Sequence, residues 1–386
     1  MANEFGILID SRNGHRPPDT SEPGSQPMAS DARPKTAVIL TPGCMRGIED
    51  VGAFCALHEE GIAQQVDGYF GVSVGAVGIL FANDPLRGLG IFSRLTGYNF
   101  IKLSQQGISV PYLQRQVLSA SMVRSFQVVG QAASSRIAEM TGLESMRMGA
   151  HIDSTFLTKI LREETVPDME IIRNGGKEHR VYCTNARTGL PQSMDLRDCA
   201  TLDDALQYVD ASSRLPFISG KPVHIGGDLL FDGCYSSSYP VHDVASRGYN
   251  RIIMMLNIHP DKIMESEGEI GKLIDLYARV HAPASRQAYD EHRANLPAIL
   301  DEIMSGEVVT EHGTAYVRII HPEKVEPKMN PLETRPEALE EAFWRGYARG
   351  KMFVHQLHRE HEKGSDFKGR LNTALALQQT PKAAMA

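Results

Sequence analysis

The sequence predicts an α/β fold, a largely parallel sheet with helices on its faces. Three observations carry this. A short β-branched run, Thr36-Ala37-Val38-Ile39-Leu40-Thr41, leads through a turn into an amphipathic helical pattern. A second apolar run and a second helical run follow at once, so the chain reads strand, helix, strand, helix. Strand character then returns at 180–185, at 251–257 and at 316–320.

Each element has its own local reason. The run at 36–41 is short, apolar and β-branched, as expected of a buried strand. It stops at Pro42-Gly43-Cys44-Met45-Arg46-Gly47, which reads as a turn. Ile48, Val51, Cys55 and Leu57, with the small residues Gly52, Ala53 and Ala56 between them, fit an amphipathic helix closed by Gly61. Residues 66–70 form the next strand, and 74–82 a helix apolar on most sides. From 94 to 164 the pattern is helical, rich in Met, Leu, Ile and Val, with no obvious strands. That stretch reads either as an insertion capping an apolar ligand pocket or as a second helical layer over the sheet. Residues 336–362 read as one long helix followed by a small-residue tail, and no internal repeat is found.

At 386 residues the chain suits one large domain or two ordinary ones, with a substantial core. The expected division is a disordered leader at 1–34, a main domain at 35–330, and a C-terminal helix with a flexible tail at 331–386. The leader is assigned because 11–34 is rich in Pro, Ser, Gly, Asp and Arg, with almost nothing to bury. A hydrophobic content of 42% and a charged content of 23% are those of a soluble globular protein. A net charge of −7 argues against a nucleic-acid partner, which calls for a basic excess. Cys44, Cys55, Cys183, Cys199 and Cys234 are few, odd in number and lack CxxC spacing, so they read as reduced thiols of a cytoplasmic protein. No run approaches the roughly 20 apolar residues of a membrane span, and the N-terminal stretch lacks the basic-then-apolar layout of a secretory signal. Contact with a membrane surface is therefore expected to be peripheral.

The chemistry centres on Gly71-Val72-Ser73-Val74-Gly75, between an apolar strand and an apolar helix. This is the layout of a nucleophile elbow, in which a sharp strand-to-helix turn exposes a serine Oγ. Gly71 and Gly75 are needed because a Cβ at either place would collide with the neighbouring strand or helix. A serine nucleophile needs a base, and the best candidate is Asp232, which ends the run Leu229-Leu230-Phe231 and precedes Gly233. Held in a turn and partly dehydrated, a carboxylate there gains basicity; the plainer reading is a turn aspartate that caps the next segment. An oxyanion also needs N–H donors, which the turn Gly43, Cys44, Met45, Arg46 and Gly47 can supply at a helix N-terminus. Arg46 reads either as a positive charge placed for an anionic substrate group or as an ordinary surface arginine.

Taken together, these segments resemble the patatin-like phospholipase family. The family's Gly-Gly-Gly-x-Arg/Lys-Gly run aligns with Pro42-Gly43-Cys44-Met45-Arg46-Gly47, and its elbow with Gly71-Val72-Ser73-Val74-Gly75. Its Asp-Gly-Gly/Ala motif aligns with Asp232-Gly233-Cys234, with Pro240 downstream. Asp210-Ala211-Ser212-Ser213-Arg214-Leu215-Pro216-Phe217 is similar to its Ala-Ser-x-Ala-x-Pro segment. Order and spacing agree over residues 36–322, and joint occurrence is far more specific than any one motif.

The resemblance implies a three-layer α/β/α sandwich with a mostly parallel sheet, and a Ser73–Asp232 dyad without a catalytic histidine. It implies an acyl-enzyme formed from a lipid ester, with an oxyanion held by Gly43 and Cys44 and no cofactor. Three residues depart from the family pattern. Pro42 has no N–H to donate; Cys44 is strained if its position requires φ > 0, and it stands as a candidate redox-sensitive thiol; Cys234 replaces Gly or Ala. Histidines His242, His259 and His281 follow Asp232 and leave a triad open, with His259 the best placed. His355, His358 and His361 share a helical face but lack an HExxH layout, and read as a solvated face rather than a metal site. The expected protein is a phospholipase A or lysophospholipase that works on a membrane surface or micelles. The alternatives are a neutral-lipid or short-ester esterase, and a lipid-binding regulatory protein whose altered turn has weakened catalysis.

Overall fold

The first strand, β1 (Lys35–Leu40), is apolar at almost every position because both of its faces are covered. Val38 and Leu40 enter one core, and Ala37 and Ile39 enter another on the opposite side. Successive side chains leave a strand on opposite faces, so an unbroken apolar run marks a strand packed on both. In the computed structural model, residues 33–95, 101–103, 150–152, 154–215, 219, 221–264, 285–326, 329–331 and 333–378 are described.

After β1 come α1 (Gly47–Glu59), β2 (Gly68–Val72), α2 (Val74–Gly78) and α3 (Pro85–Arg94). Two three-residue strands, β3 (Ile101–Leu103) and β4 (Ala150–Ile152), pair antiparallel with each other. Then follow α4 (Ser154–Asn174), β5 (Glu178–Asn185), β6 (Pro191–Asp195), α5 (Leu202–Ser212), β7 (Val223–Ile225) and β8 (Asp228–Asp232). The chain continues with α6 (Val241–Ser246), β9 (Tyr249–Met255), α7 (Ser285–Ser305), β10 (Glu307–Thr310), β11 (Gly313–Ile320) and α8 (Pro336–Gln378).

The main sheet runs β10-β11-β9-β1-β2-β5-β8-β7, with β6 also paired to β5. The five strands β11, β9, β1, β2 and β5 are mutually parallel, and β10, β6, β8 and β7 join antiparallel. One face is covered by α1, α3, α4, α5 and α8, through side chains such as Phe54, Ile91, Ile160, Val209 and Phe343. The other is covered by α6 and α7, through Val244, Leu296 and Ile303. The fold is thus α/β in three layers, as the sequence predicts.

Helix α8 crosses α1 at close range. A Cβ on Gly346 would overlap the Glu49 carbonyl oxygen, and one on Gly52 would overlap that of Phe343. Buried Glu49 is bonded across this crossing by Arg345 at 3.3 Å and Arg349 at 2.9 Å.

Several boundaries differ from the sequence expectation. The second strand begins at Gly68, because Asp67 still belongs to the turn, its N–H and carboxylate both bonded to the backbone of Thr36. The helix after Ser73 stays α-helical for five residues and tightens into a 3-10 turn at Ile79–Phe81. Strands β3 and β4 occur where no strand is expected, and 104–149, with most of the capping segment, lies outside the described residues. The expected leader likewise lies outside them up to residue 32. Strand β11 starts three residues early and forms a hairpin with β10. Helix α8 runs to Gln378 rather than stopping at Glu362.

The α1–α8 crossing can be tested by adding one methyl group. Gly346→Ala is expected to lower stability by about 1–3 kcal/mol in urea unfolding, the cost of overpacking a close contact. Gly90→Ala, in helix α3 with open space around it, should be neutral or stabilising by about 0.4–1 kcal/mol.

Candidate active site

Ser73 sits between β2 and α2 with φ +58° and ψ −123°, a region that side chains rarely occupy and that costs on the order of 1–3 kcal/mol. Its surroundings impose the turn. A Cβ on Gly71 would overlap the Gly75 carbonyl, and one on Gly75 would overlap the Leu40 carbonyl of β1. The end of α5 grips the turn from the other side. The Ser73 N–H donates to Ser212 Oγ at 3.0 Å, and that hydroxyl donates to the Tyr182 carbonyl at 2.7 Å. Ser213 Oγ donates to the Ser73 carbonyl at 3.3 Å.

Strand register brings Asp232 to this point. Val72 pairs with Tyr182 across β2 and β5, and the next residue of β5, Cys183, pairs with Asp232 at the end of β8. Asp232 therefore stands level with Ser73, with β5 between them. Ser73 Oγ donates to Asp232 Oδ2 at 2.8 Å, and the Cys234 N–H donates to Oδ1 at 2.9 Å. The Asp232 N–H donates to the Arg214 carbonyl at 3.2 Å, so residues 212–214 hold both partners. Asp232 is fully buried. Desolvation pushes its carboxyl up from 3.8 to about 6, against the opposing bonds from Cys234 and Ser73.

The turn at 42–47 leaves β1 beside this pair. Leu40 pairs with Gly71, and a Cβ on Gly47 would lie 2.5 Å from Val74 Cγ2. Cys44 has φ +52°, so the strain foreseen for a side chain at that position is present. Among the described residues, the Gly43 and Cys44 N–H groups have no hydrogen-bond acceptor. The other expected donors are spent. The Met45 N–H donates to the Pro331 carbonyl at 3.0 Å, and the Arg46 N–H to the Gly43 carbonyl at 3.1 Å. The N–H groups around Gly47 bond back to the carbonyls of Cys44 and Met45. Arg46 is neither a surface arginine nor an exposed charge: its side chain is buried, and its Nε donates to the Met329 carbonyl at 2.8 Å. Residues 329–331 take up these groups, a long-range contact with no local signal.

Desolvation pushes the Cys44 thiol up to about 12, which keeps it protonated at neutral pH and removes the thiolate a redox sensor needs. Both Asp232 oxygens are occupied, and no histidine among the described residues bonds to Asp232 or Ser73. His259 caps the turn at Pro260–Lys262, accepting the Asp261 N–H, and stacks edge-on against His321. His242 pairs with Glu302 at 3.1 Å, and His281 lies outside the described residues. The side chain of His361 also lies outside them, and no cluster of three metal-ligating residues occurs among those described. Sequence reasoning assigned no role to Ser212, Ser213 or Arg214, although all three fall in the segment that resembles the family motif.

No family model matches the chain, and no curated protein matches it in sequence. Among solved structures it is similar to VipD from Legionella pneumophila, with a TM-score of 0.40 and 13% identity, over 84% of this chain and 67% of that one. It is also similar to a chain of the heterodimeric ExoU-SpcU complex from the type III secretion system of Pseudomonas aeruginosa (TM-score 0.33, 12% identity, 84% of this chain, 52% of that one). The type III effector protein ExoU matches with a TM-score of 0.30 and 13% identity, over 84% of this chain and 53% of that one. The chain spans about half the length of those last two.

The raised carboxyl has a consequence for stability. Between pH 3.8 and about 6 the folded state binds more protons than the unfolded state, so stability falls as pH rises through that window. Asp232→Asn keeps the shape and cannot ionise. It is expected to exceed wild type in urea unfolding at pH 7–8 by about 2–3 kcal/mol, and to lose that advantage near pH 4.

Proposed function

We propose that this protein is a serine acyl hydrolase of the patatin-like type, cleaving fatty-acyl esters of phospholipids through Ser73 and Asp232. One observation carries the reading: the buried hydrogen bond of 2.8 Å from Ser73 Oγ to Asp232 Oδ2, on a strained strand-to-helix turn. A carboxylate with a pKa near 6 is a better general base than an exposed one and is still ionised at neutral pH. Asp232 Oδ2 takes the Ser73 proton as Oγ attacks the ester carbonyl carbon. The Gly43 and Cys44 N–H groups hold the tetrahedral oxyanion. The alcohol leaves with the proton from Asp232; water then attacks the acyl-enzyme, gives its proton to Asp232, and the acid departs as Ser73 is restored.

The substrate class rests on the family resemblance at the turn, the Ser73 pentapeptide and Asp232. The protein is proposed to act in the cytoplasm, peripherally at a membrane surface. No helix among the described residues is long and apolar enough to cross a membrane. A second reading is a lipid-binding regulator with weakened turnover. It is favoured by the turn itself, where Pro42 has no N–H and that of Met45 is spent, so two donors remain.

A fluorophosphonate probe separates the two readings. The hydrolase is expected to be labelled, with the label lost in Ser73→Ala; absence of labelling on folded wild type favours the regulator. A panel of phospholipids, lysophospholipids and neutral esters then assigns the substrate. Its kcat/KM should rise with pH through a midpoint near 6, as Asp232 ionises. Asp232→Asn should abolish turnover while His259→Ala keeps most of it; the reverse result means a histidine is the base.

A further inference from the structure

We infer that Asn257 is a positioning residue for the oxyanion donors, aiming the Gly43 N–H by holding the peptide unit behind it. The inference rests on the hydrolase reading above. Asn257 follows β9 and is buried. Its Nδ2 lies 2.9 Å from the Thr41 carbonyl, 3.4 Å from the Pro42 carbonyl and 3.2 Å from Asp50 Oδ2. Three acceptors around one atom fix the amide orientation, because the flipped amide would set oxygen against oxygen. The Oδ1 is buried and has no hydrogen-bond partner among the described residues. The side chain is therefore held for what its NH2 group does.

Peptide geometry connects that contact to the donors. In a trans peptide unit the carbonyl of one residue and the N–H of the next point in opposite directions within one rigid plane. A bond that pulls on the Pro42 carbonyl therefore directs the Gly43 N–H the other way. The Arg46 N–H does the same for the next unit, holding the Gly43 carbonyl at 3.1 Å and so directing the Cys44 N–H. Both donors left in the turn are thus aimed from behind. The first depends on a side chain 215 residues away, and the second on the turn's own backbone.

Two further contacts keep Asn257 in place. Asp50, in the first turn of α1 and buried, accepts from the same amide. Gly43 presents its bare Cα to the amide plane: a Cβ there would lie 2.6 Å from Nδ2 and 2.8 Å from Cγ of Asn257. The glycine and the asparagine thus fit as a pair. With Pro42 unable to donate, the Gly43 and Cys44 N–H groups are the donors left in this turn, and their direction bears on turnover.

The test compares wild type, Ser73→Ala, Asn257→Asp and Asn257→Leu on a p-nitrophenyl ester, with kcat expressed per serine titrated by a fluorophosphonate. Both Asn257 variants remove the donor at similar size, and Asn257→Leu serves should a carboxylate next to Asp50 prevent folding. Loss of one oxyanion contact is expected to lower kcat about 100-fold and leave KM within about twofold. Affinity for a trifluoromethyl ketone, which forms a hemiketal in the same hole, should fall by a similar factor. A purely structural role would instead reduce the titratable fraction and the unfolding temperature, leaving kcat per serine and ketone affinity as in wild type; that result overturns the inference alone. Wild type without Ser73-dependent turnover overturns the hydrolase reading, and this inference with it.

Discussion

A carboxylate that no water reaches is expensive unless its oxygens are bonded, and Asp232 is such a group. Its oxygens are matched by one N–H, from Cys234, and one hydroxyl, from Ser73. Among the described residues no cation pairs with it, so it is left more basic than usual rather than stabilised as an ion. The sheet sets the level at which β8 ends relative to β2. β8 enters antiparallel beside β5 with Asp232 opposite Cys183, one residue beyond the Tyr182 that pairs with Val72.

Strain is concentrated in the same place. Cys44 and Ser73 are the non-glycine residues with positive φ among those described, and they sit on adjacent strand ends. Such conformations persist where the surroundings over-determine them. At Ser73 the determinants are hydrogen bonds to Ser212 and Ser213 and the tight approach of Gly71 and Gly75. At Cys44 they are the turn's own bond from Arg46 to Gly43 and the contacts of its neighbours with residues 329–331. The two turns are rigid for different reasons, one clamped by the end of a helix and the other by distant chain.

This difference explains what the sequence revealed. Strands β1, β2 and β9 were legible because burial on both faces leaves unbroken apolar runs; Asp232 was seen to end the run Leu229-Leu230-Phe231, but that run was not read as a strand. The partly exposed β6 and β7 carry no such run, and β10 alternates too briefly to stand out. Ser73, Asp232 and their glycines were legible because sterics and chemistry demand those residue types at those spacings. The burial of Arg46 was not legible for the opposite reason: Met329, 283 residues away, takes up its Nε, and no local pattern reports it. In sequence Asn257 is simply the last, polar residue of the strand expected at 251–257.

The same logic changes how the C-terminal third relates to the chemistry. The Pro331 and Met329 carbonyls hold Met45 and Arg46, and Glu326, just upstream of that segment, is paired with Arg349 of α8. Arg349 also reaches Glu49 of α1, one residue before the Asp50 that steadies Asn257. Contacts therefore link the last described helix, through Glu49, its neighbour Asp50 and Asn257, to the turn at 42–47. The turn begins where β1 ends, but its shape is completed by residues that enter nearly 300 positions later. The helix expected to follow the main domain packs along α1, whose first turn carries the Asp50 that accepts from Asn257.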